Sequence, residues 1–519
     1  MAQIIYPIGI QTFSKIREGG LLYIDKTEYV YRLVNTSQFV FLSRPRRFGK
    51  SLLLSTVKEY FLGHRNLFEG LEISRCERDW VKHPVLHLDF TGADYNDPSE
   101  LYTNLDVQFA MWENEYEIEK LNDSLSSRFR EIILRAYKKA GQKVVILIDE
   151  YDKPLLETVD NPELQQKYRE TLRGIYGNLK RMDEYIRFAM LTGVTKFGHL
   201  SIFSDLNNLN DISFDEQFEG ICGITGKELR CNLSQGVAEL AERTGQTVDE
   251  AYETLKRNYD GYRFSPEGCL DVYNPFSLLS ALSKCKIGNY WFKTGTPTFL
   301  IKMIKADNLP IIKLDKLHAT VEELTDLSFN LGNYIPVMYQ SGYLTIKDYD
   351  SELGEVTLGF PNKEVESGFL NQVMPLYTSV PEQRAGFEII QFVKDVRAGR
   401  AEEFMMRLQS LFADFQYDSF DLKHLEQHYQ DVIFIVFKLM GFYTRTEYKT
   451  ASGRIDMVIK TKDYIYVIEF KIDKSAKEAL AQIDTKEYLL PFKADGRKLV
   501  KIGVNFDSKT RTIASWIID

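Results

Sequence analysis

Paired cysteines, long apolar runs and a leader-like start are all missing from this sequence of 519 residues. Its five cysteines are an odd number, lie far apart and include no CxxC pair, which argues against a disulfide framework or a zinc site and favours free buried thiols. The apolar segment 432–442 is interrupted by Lys438, so it falls short of the roughly 18 residues that would cross a bilayer. The first residues, Met1 to Phe13, lack the basic-then-apolar order of a secretory signal. These absences predict a cytoplasmic protein with no membrane partner.

Length, composition and charge limit the class of protein. A chain this long exceeds what one hydrophobic core supports and predicts about three or four folded units. The composition, 44% hydrophobic and 27% charged, is typical of a globular protein. The net charge of −9 argues against a generally basic nucleic-acid surface. Residues 421–519 nevertheless carry 17 Lys and Arg against 14 Asp and Glu, so this tail permits nucleic-acid binding without demonstrating it.

The first half of the chain alternates short β-rich runs with helical stretches, a pattern that predicts a parallel sheet covered by helices. The predicted strands are apolar enough to be buried on both faces. They are 39–42, 85–88, 144–148 and 188–191. The predicted fold class is therefore α/β, with helices on both faces of a parallel sheet.

The rest of the chain reads as a helical middle followed by a separate C-terminal part. From 225 to 344 the pattern becomes helical with scattered turns, which indicates a lid or helical domain. Residues 343–350 and 355–360 could pair as a hairpin between two helices, the order of a winged-helix unit. A Pro- and Gln-containing stretch near 380–384 predicts a joint. The predicted domains are 1–224, 225–384 and 385–519.

A candidate phosphate loop, from Arg44 to Ser51, follows a predicted strand and opens an apolar, helix-compatible run, which is the context that such a loop requires. Backbone N–H groups at the helix start can receive phosphate oxygens, Lys50 can reach the β- and γ-phosphates, and Ser51 can ligate Mg²⁺. Gly49 allows the tight turn. Arg44 stands where the G-x-x-x-x-G-K-[ST] pattern has glycine, and a Gly-Lys-Ser triplet alone could simply begin a surface helix. The predicted nucleotide-binding residues here are Arg47, Phe48, Gly49, Lys50, Ser51 and Leu52.

A second half of the same site lies about 100 residues downstream, where a five-residue apolar strand ends in Asp149 and Glu150. Asp149 would hold Mg²⁺ through water, and Glu150 would polarise the attacking water. A solvated strand end is the alternative for this pair, but two halves in the right order and context favour an ATP site of the P-loop NTPase kind. Thr195, after another strand, could sense the γ-phosphate, and Lys196 is a second candidate for that role, although strand-end threonines are often structural.

Four segments resemble the bacterial AAA-ATPase-like family. They are 23–27 (YIDKT), 44–51 (RPRRFGKS), 149–154 (DEYDKP) and 191–195 (LTGVT). The resemblance spans nearly the whole chain and makes Arg44 a trait of the family. It implies an ATPase module of the signal-transducing kind, and members often carry a C-terminal PD-(D/E)xK nuclease.

A candidate nuclease site lies near the end of the chain. Asp456 starts one β-like run, and a second run alternates into Glu469-x-Lys471, so period two places Glu469 and Lys471 on one face. The two carboxylates suit one or two Mg²⁺ or Mn²⁺ ions against a scissile phosphate. Lys471 would orient or deprotonate the attacking water and offset transition-state charge. The alternative is a structural cluster, or a nuclease fold that has lost catalysis.

The surroundings of this site follow the order of a PD-(D/E)xK core, helix, strands and helix, over roughly the last 100 residues. In similar nucleases a glutamate on the first helix can complete the metal shell, and the resemblance makes Glu426 the candidate. His428 fits packing or hydrogen bonding better than metal ligation. Gln482 and Lys486 on the last helix could face a phosphate backbone, but a solvated helix face accounts better for both. The C-terminal domain is thus predicted as an α/β restriction-endonuclease-like fold.

The predicted domains and site residues leave three candidate functions. The first is an ATP-controlled, metal-dependent nuclease whose partners are ATP, DNA or another nucleic acid, and a second copy of the chain if it forms a homo-oligomer. The second is a nucleotide-dependent regulatory or DNA-binding switch with an inactive nuclease fold. The third, a structural scaffold, leaves both phosphate-binding halves unexplained. Arg263 could be a nucleotide sensor, although packing on its neighbouring aromatic residues accounts for it better.

Overall fold

The computed structural model describes residues 5–119, 124–196, 209–292, 300, 311–325, 334–378, 380–413, 422–441, 443–450, 453–510 and 512–519. The chain forms two compact units. The first comprises Met1–Asp307 and Lys316–Val365, and the second comprises Asn308–Asp315 and Glu366–Asp519. The predicted division into three domains, with boundaries at 224 and 384, stays a prediction.

A five-stranded parallel sheet organises the first unit, with the order β2-β3-β4-β1-β5. It confirms the four predicted strands, each extended by one to four residues, and adds the two-residue β5, which is too short to give a sequence pattern. The strands are β1 (Phe39–Ser43), β2 (Val85–Asp89), β3 (Val144–Asp149), β4 (Ile186–Gly193) and β5 (Asn210–Asp211).

Helices surround this sheet and precede or link its strands. They are α1 (Phe13–Glu18), α2 (Thr27–Thr36), α3 (Lys50–Phe61), α4 (Ile73–Cys76), α5 (Glu100–Glu115), α6 (Leu125–Ala140), α7 (Lys153–Glu157) and α8 (Pro162–Arg181). Ile146 and Ile148 of β3 join a buried cluster with residues of α5, α6 and α8, whereas the alternating Leu147 points to the opposite face. There α3 contacts β3 and β4, and its Phe61 packs on Phe188 with ring centroids 5.5 Å apart. Helices therefore cover both faces, as predicted.

Parallel pairing brings the carboxyl ends of the strands to one edge of the sheet. β1 pairs with β4 as far as Ser43 opposite Gly193, and β2 pairs with β3 as far as Asp89 opposite Asp149. β4 lies between β1 and β3. The loop that follows β1 and the carboxylates that end β3 consequently start from the same edge, where ligands bind in open α/β sheets.

The middle of the chain is helical, as predicted, and ends in a small antiparallel sheet. Its helices are α9 (Gly226–Asn232), α10 (Ser234–Thr244), α11 (Val248–Tyr259), α12 (Pro275–Lys284), α13 (Val321–Thr325) and α14 (Tyr334–Gln340). A short pair, β6 (Ile224–Thr225) and β7 (Val272–Tyr273), flanks the first three of them. The predicted hairpin is confirmed, because β9 (Thr345–Asp350) pairs with β10 (Glu355–Gly359). The unpredicted β8 (Leu317–Thr320) pairs with the other side of β10.

The second unit contains a mixed sheet with the order β11-β12-β13-β14-β15. Its strands are β11 (Tyr443–Thr450), β12 (Gly453–Lys460), β13 (Tyr464–Ile472), β14 (Lys498–Asp507) and β15 (Thr512–Ile518). Only β13 and β14 pair in parallel, and α19 (Ala476–Thr485) connects them and packs on both. The helices that lead into this sheet are α15 (Lys363–Tyr377), α16 (Glu382–Arg397), α17 (Ala401–Ala413) and α18 (Leu422–Met440).

The structure bears on the predictions about the cysteines and about membrane-spanning segments. All five cysteines are free, but the prediction of buried thiols is wrong for Cys76, Cys231 and Cys269, which are exposed at a helix end, on a helix surface and in a loop. Cys222 is buried and Cys285 is half-buried. Within the described ranges, none of the helices combines the length and apolarity needed to cross a bilayer. The cytoplasmic location stays a prediction.

Candidate functional site

The phosphate loop turns between β1 and α3 through two residues in the left-handed region. Gly49 has a φ of 95° and Arg47 a φ of 67°. Glycine adopts positive φ values readily because it has no Cβ, whereas they are uncommon for a residue with a side chain, such as arginine. Because α3 begins at Lys50, the N–H groups of its first turn have no partner within the helix. Gly49, Lys50, Ser51 and Leu52 all line one pocket, and N–H groups at a helix start are donors that suit an anion.

Lys50 holds its own loop. Its side chain is nearly buried, with 6% exposed, and Nζ donates to the carbonyl oxygens of Arg44 at 2.8 Å and Pro45 at 3.1 Å. Burial lowers the pKa of this ammonium, while the nearby Glu150 and Asp149 carboxylates oppose the shift. The ammonium therefore fixes the loop and at the same time lines the pocket in which phosphate is predicted to bind.

Arg44 anchors the start of the loop and has its side chain in the core. It is 1% exposed, and its Nη1 donates to the carbonyl oxygens of Ser43 at 2.9 Å and Ser213 at 2.7 Å. The guanidinium lies 4.1 Å from the ring centroid of Phe264, a cation–π contact. Arg44 replaces the first glycine of the phosphate-loop pattern, but its side chain points into the core and away from the pocket. The loop can therefore keep its turn without glycine at this position.

The two remaining predicted residues of the loop, Phe48 and Arg47, both contact aromatic rings but differ in what they can offer a phosphate. Phe48 is buried, with its ring 4.8 Å from Tyr262 and 5.4 Å from Phe264, so only its backbone is placed to face phosphate. The Arg47 guanidinium lies 4.9 Å from the ring centroid of Phe276. Arg263 pairs instead with Asp271 at 3.2 Å, and the arginine that stacks on Phe264 is Arg44.

The carboxylates at the end of β3 have different environments. Asp149 is 4% exposed and its Oδ1 accepts from Thr192 Oγ1 at 2.7 Å and from the Glu150 backbone N–H at 3.0 Å. Glu150 adopts a left-handed φ of 51°, a conformation that is strained outside glycine and often functional. Its side chain lines the same pocket as Lys50, and burial raises its pKa while Lys50 opposes the shift.

Thr195 lies against Asp152, a residue that sequence reasoning missed. The Asp152 Oδ2 accepts from the N–H of Val194 at 2.9 Å, the N–H of Thr195 at 2.7 Å and the Thr195 hydroxyl at 2.8 Å. Tyr151 donates its hydroxyl to the Thr195 carbonyl at 2.9 Å. Thr195 is fully buried, so its hydroxyl fixes the turn after β4 in this structure. Lys196 pairs with Asp211 at 2.6 Å.

Thr195→Val should lower the free energy of unfolding by about 1–2 kcal/mol, because it removes one donor from a buried carboxylate. Thr195→Ser keeps the hydroxyl and should remain close to the original protein. Urea unfolding and ATP hydrolysis of both variants separate the two roles. A valine variant with normal stability and no hydrolysis would favour nucleotide sensing over this anchoring.

A buried chain of contacts links the phosphate loop to Glu364. The indole Nε1 of Trp291 donates to the Arg46 carbonyl at 3.0 Å, and the Trp291 N–H donates to Glu364 Oε1 at 2.8 Å. The Tyr290 N–H donates to the same oxygen. Glu364 is 2% exposed, and burial raises the pKa of its carboxyl from 4.5 to about 7.

The raised pKa of Glu364 predicts a pH-dependent stability. A carboxyl whose pKa is higher in the folded state stabilises the fold most below its unfolded pKa, and this contribution disappears as pH rises through the folded pKa. Relative to Glu364→Gln, the original chain should therefore lose about 2–3 kcal/mol in free energy of unfolding between pH 4.5 and about 7. Urea unfolding at several pH values provides the measurement. Parallel pH profiles for the two proteins would contradict it.

The pocket beside the loop has a volume of about 460 Å³, within the range of small-molecule sites. Its polar side holds Arg46, Arg47, Lys50, Ser51, Glu150, Lys153 and Glu157. Its apolar side comes from segments 7–11 and 275–279, and an adjoining apolar pocket continues between Tyr23, Leu52 and Ile224. Sequence reasoning missed these segments, because they lie far from the loop along the chain and carry no motif.

The candidate nuclease residues converge on adjacent strands. Met457 of β12 pairs with Ile468 of β13, which sets Asp456 beside Glu469 and on the same face. The Phe470 N–H donates to Asp456 Oδ2 at 2.9 Å. Lys471 Nζ donates to Glu469 Oε1 at 3.1 Å, as predicted from their shared face. The structure therefore brings Asp456, Glu469 and Lys471 together.

Glu469 is a buried, half-satisfied carboxylate. It is 1% exposed, and burial together with the neighbouring Asp456 raises its pKa from 4.5 to about 7. Its Oε2 is buried and, within the described residues, has no hydrogen-bond partner. Two neighbouring carboxylates, of which Glu469 keeps one buried oxygen without a hydrogen bond, are the hard donors that Mg²⁺ or Mn²⁺ prefers. The described residues contain no cluster of three His, Cys, Asp or Glu ligands, so water and substrate oxygens would have to complete the shell, as is usual for Mg²⁺.

Gln482 belongs to this site, and its predicted solvated position is wrong. It is half-buried and its Nε2 donates to Glu469 Oε1. Gly503 pairs with Glu469 across β13 and β14, and a Cβ there would meet the backbone of Ala476 and Leu480, so this glycine lets α19 lie close to the sheet. Lys486 is exposed, in agreement with the prediction. Glu426 and His428 lie on α18, but their side chains are outside the described residues.

Comparison with known proteins identifies the two halves. The region 7–203 matches a family described as a predicted AAA-ATPase, and 424–516 matches the PD-(D/E)XK nuclease superfamily. A protein of Azotobacter chroococcum mcd 1, described as an uncharacterized protein in the vnfD 5′ region, is 35% identical over 529 residues, which cover 99% of this chain and 98% of that protein. The Aeropyrum pernix ORC2 protein, solved as ADPNP–ADP complexes, is 12% identical over 65% of this chain and 87% of that chain, with a TM-score of 0.26.

Fold and sequence together define the class, a P-loop ATPase-like region followed by a nuclease-fold region. The chain belongs to the AAA-ATPase-like family and carries a C-terminal domain of the PD-(D/E)XK nuclease superfamily. The resemblance found in the sequence is thereby confirmed.

Proposed function

We propose that this protein binds and hydrolyses ATP and that its nucleotide state controls a metal-dependent nuclease in the same chain. The observation that supports the ATPase most directly is one pocket lined by the phosphate loop, Lys50 and Glu150, beside the buried Asp149. The two halves of this site come from different strands. Control of the nuclease is inferred from the presence of both domains in one chain.

In the ATPase, the first-turn N–H groups of α3 bind phosphate oxygens and Lys50 neutralises the β- and γ-phosphates. Ser51 and Asp149 would hold Mg²⁺, which offsets charge on the phosphates. Glu150 orients the attacking water and accepts its proton. The apolar segments 7–11 and 275–279 cover the base, which leaves the polar side of the pocket to the phosphates.

In the nuclease, Asp456 and Glu469 would hold Mg²⁺ or Mn²⁺, which polarises the scissile phosphate. Glu426 is proposed as an additional ligand. Lys471 orients the attacking water and offsets charge on the phosphate. Gln482 keeps Glu469 in position through its amide, a positioning role. The substrate class is a nucleic-acid phosphodiester.

The second candidate is a nucleotide-dependent regulatory or DNA-binding switch with an inactive nuclease fold. One observation favours it, because Glu469 Oε1 already accepts from both Lys471 and Gln482 and burial favours the neutral carboxyl. Such a site can be satisfied in part without metal. The partner would then be bound nucleic acid, and self-assembly of the chain could couple it to the ATPase.

Cleavage of plasmid and single-stranded DNA by the full-length chain, with Mg²⁺ or Mn²⁺ and with or without ATP, tests these proposals together. Cutting that depends on metal and changes with ATP would support the coupled nuclease. ATP hydrolysis without cutting of any substrate would favour the switch. If ATP is not hydrolysed with either DNA substrate or without DNA, the ATPase proposal is refuted.

A further inference from the structure

The cations of the nucleotide pocket have different environments. Lys50 donates to two loop carbonyls, and the Arg47 guanidinium lies over the ring of Phe276. Arg46 has its carbonyl bound by the Trp291 indole and its side chain exposed. Lys153 lies near both glutamates of the pocket, Glu150 and Glu157.

Lys153 lies between two glutamates. Its Nζ is 4.0 Å from Glu150 Oε2 and 4.0 Å from Glu157 Oε1, distances longer than a hydrogen bond. Glu157 is fixed in turn, since its Oε2 accepts from the Tyr95 N–H at 3.2 Å. The Lys153 side chain is 21% exposed, against 32% for each glutamate side chain. It is thus held at the pocket wall beside Glu150 with donors still available.

We propose that Lys153 is a catalytic residue of the ATPase, whose ammonium moves onto the γ-phosphate oxygens of ATP bound in its own chain as charge develops on them, and stabilises that charge. This inference rests on the proposed function. Phosphoryl transfer spreads negative charge over the equatorial oxygens of the moving group, and a cation there accelerates the step. Its position next to Glu150 places it where attacking water and γ-phosphate would meet.

The step balances without any further reactant. The water oxygen forms a bond to the γ-phosphorus while its proton passes to the Glu150 carboxylate. The bond from that phosphorus to the bridging oxygen breaks, and its electron pair stays on the ADP β-phosphate. Lys153 remains protonated throughout and moves from the two glutamates toward the phosphate oxygens.

Steady-state ATP hydrolysis by full-length Lys153→Met measures the effect. We expect kcat to fall about 10²–10³-fold, with KM and ADP binding changed by less than about threefold because the ground-state phosphates keep Lys50 and the loop. Lys153→Arg should recover part of the rate. Tight binding of ADP with aluminium fluoride, which mimics the transferring group, should be lost in the methionine variant. Lys138→Met, at an exposed position on α6, is the matched control and should be unaffected.

The outcomes separate this inference from the function on which it rests. Normal hydrolysis in Lys153→Met, with hydrolysis lost in Lys50→Ala, would overturn the role of Lys153 and leave the ATPase intact. Loss of ADP binding in both Lys153 variants would show a structural role and would also overturn it. Recovery of activity on mixing Lys50→Ala with Lys153→Met would place the lysine in a neighbouring chain's pocket, against the inference. A chain that hydrolyses no ATP would remove both proposals.

Discussion

Lys50→Ala should reduce ATP hydrolysis more than about 10²-fold and weaken nucleotide binding. The alanine removes the cation predicted to reach the β- and γ-phosphates, and it also removes two hydrogen bonds to loop carbonyls. Both losses act on one pocket, so binding and turnover should fall together. Phosphate release with Mg²⁺ and calorimetric titration with ATP provide the two measurements.

Lys58→Ala on the same helix is the control for the Lys50 variant, because it removes a lysine from α3 outside the loop. Its hydrolysis and thermal stability should match the original chain. Folding of Lys50→Ala is checked by its circular dichroism and melting temperature. Turnover that persists in a folded Lys50→Ala protein would refute the assignment of the phosphate loop.

Glu469→Gln and Lys471→Ala should each reduce nucleic-acid cleavage at least about 10²-fold. The amide keeps the size of Glu469 but loses the charge that would hold the metal. Because burial already favours the neutral form of this carboxyl, Glu469→Gln should fold at least as well as the original chain. Loss of cleavage would then reflect the chemistry of the site. Plasmid nicking in Mg²⁺ or Mn²⁺ measures the rate.

Titration with Mn²⁺ adds a second readout for the nuclease variants. Glu469→Gln should lose Mn²⁺ binding to the C-terminal site, whereas Lys471→Ala should keep it, since the lysine is not a metal ligand. Lys477→Ala, at an exposed position on α19, serves as the matched control. Unchanged cutting in both Glu469→Gln and Lys471→Ala would place any nuclease activity elsewhere.

Local patterns predicted the features that depend on neighbouring residues. Apolar runs of the right length predicted the strands, and the Gly49-Lys50-Ser51 triplet together with Asp149 indicated the two halves of the proposed nucleotide site. Period-two alternation placed Glu469 and Lys471 on one face, and the structure has them in contact. Such features follow from spacing along the chain, which the sequence displays directly.

Contacts between distant segments were not predictable in this way. The sequence offers Thr195 as a γ-phosphate sensor or a structural strand-end threonine, but it does not show that Asp152, 43 positions away in the chain, accepts the Thr195 hydroxyl; the sensor role stays a prediction. A solvated helix face was the favoured prediction for Gln482, yet it donates to Glu469 from across the β13–α19 connection. The apolar side of the nucleotide pocket combines residues near 7 and near 275. Each depends on the folded arrangement of elements and not on local periodicity.

The burial of Arg44 also determines when the proposed nucleotide site can form during protein synthesis. Besides the adjacent Ser43, the acceptors and the ring that surround this guanidinium belong to Ser213, Phe218 and Phe264, all of which leave the ribosome well after the loop itself. A fragment that stops at residue 203, where the ATPase family match ends, would contain the complete phosphate-loop motif but none of these three partners. The side chain of Arg44 can therefore make all of these contacts only after synthesis has passed Phe264. A truncated ATPase domain should extend at least to that residue.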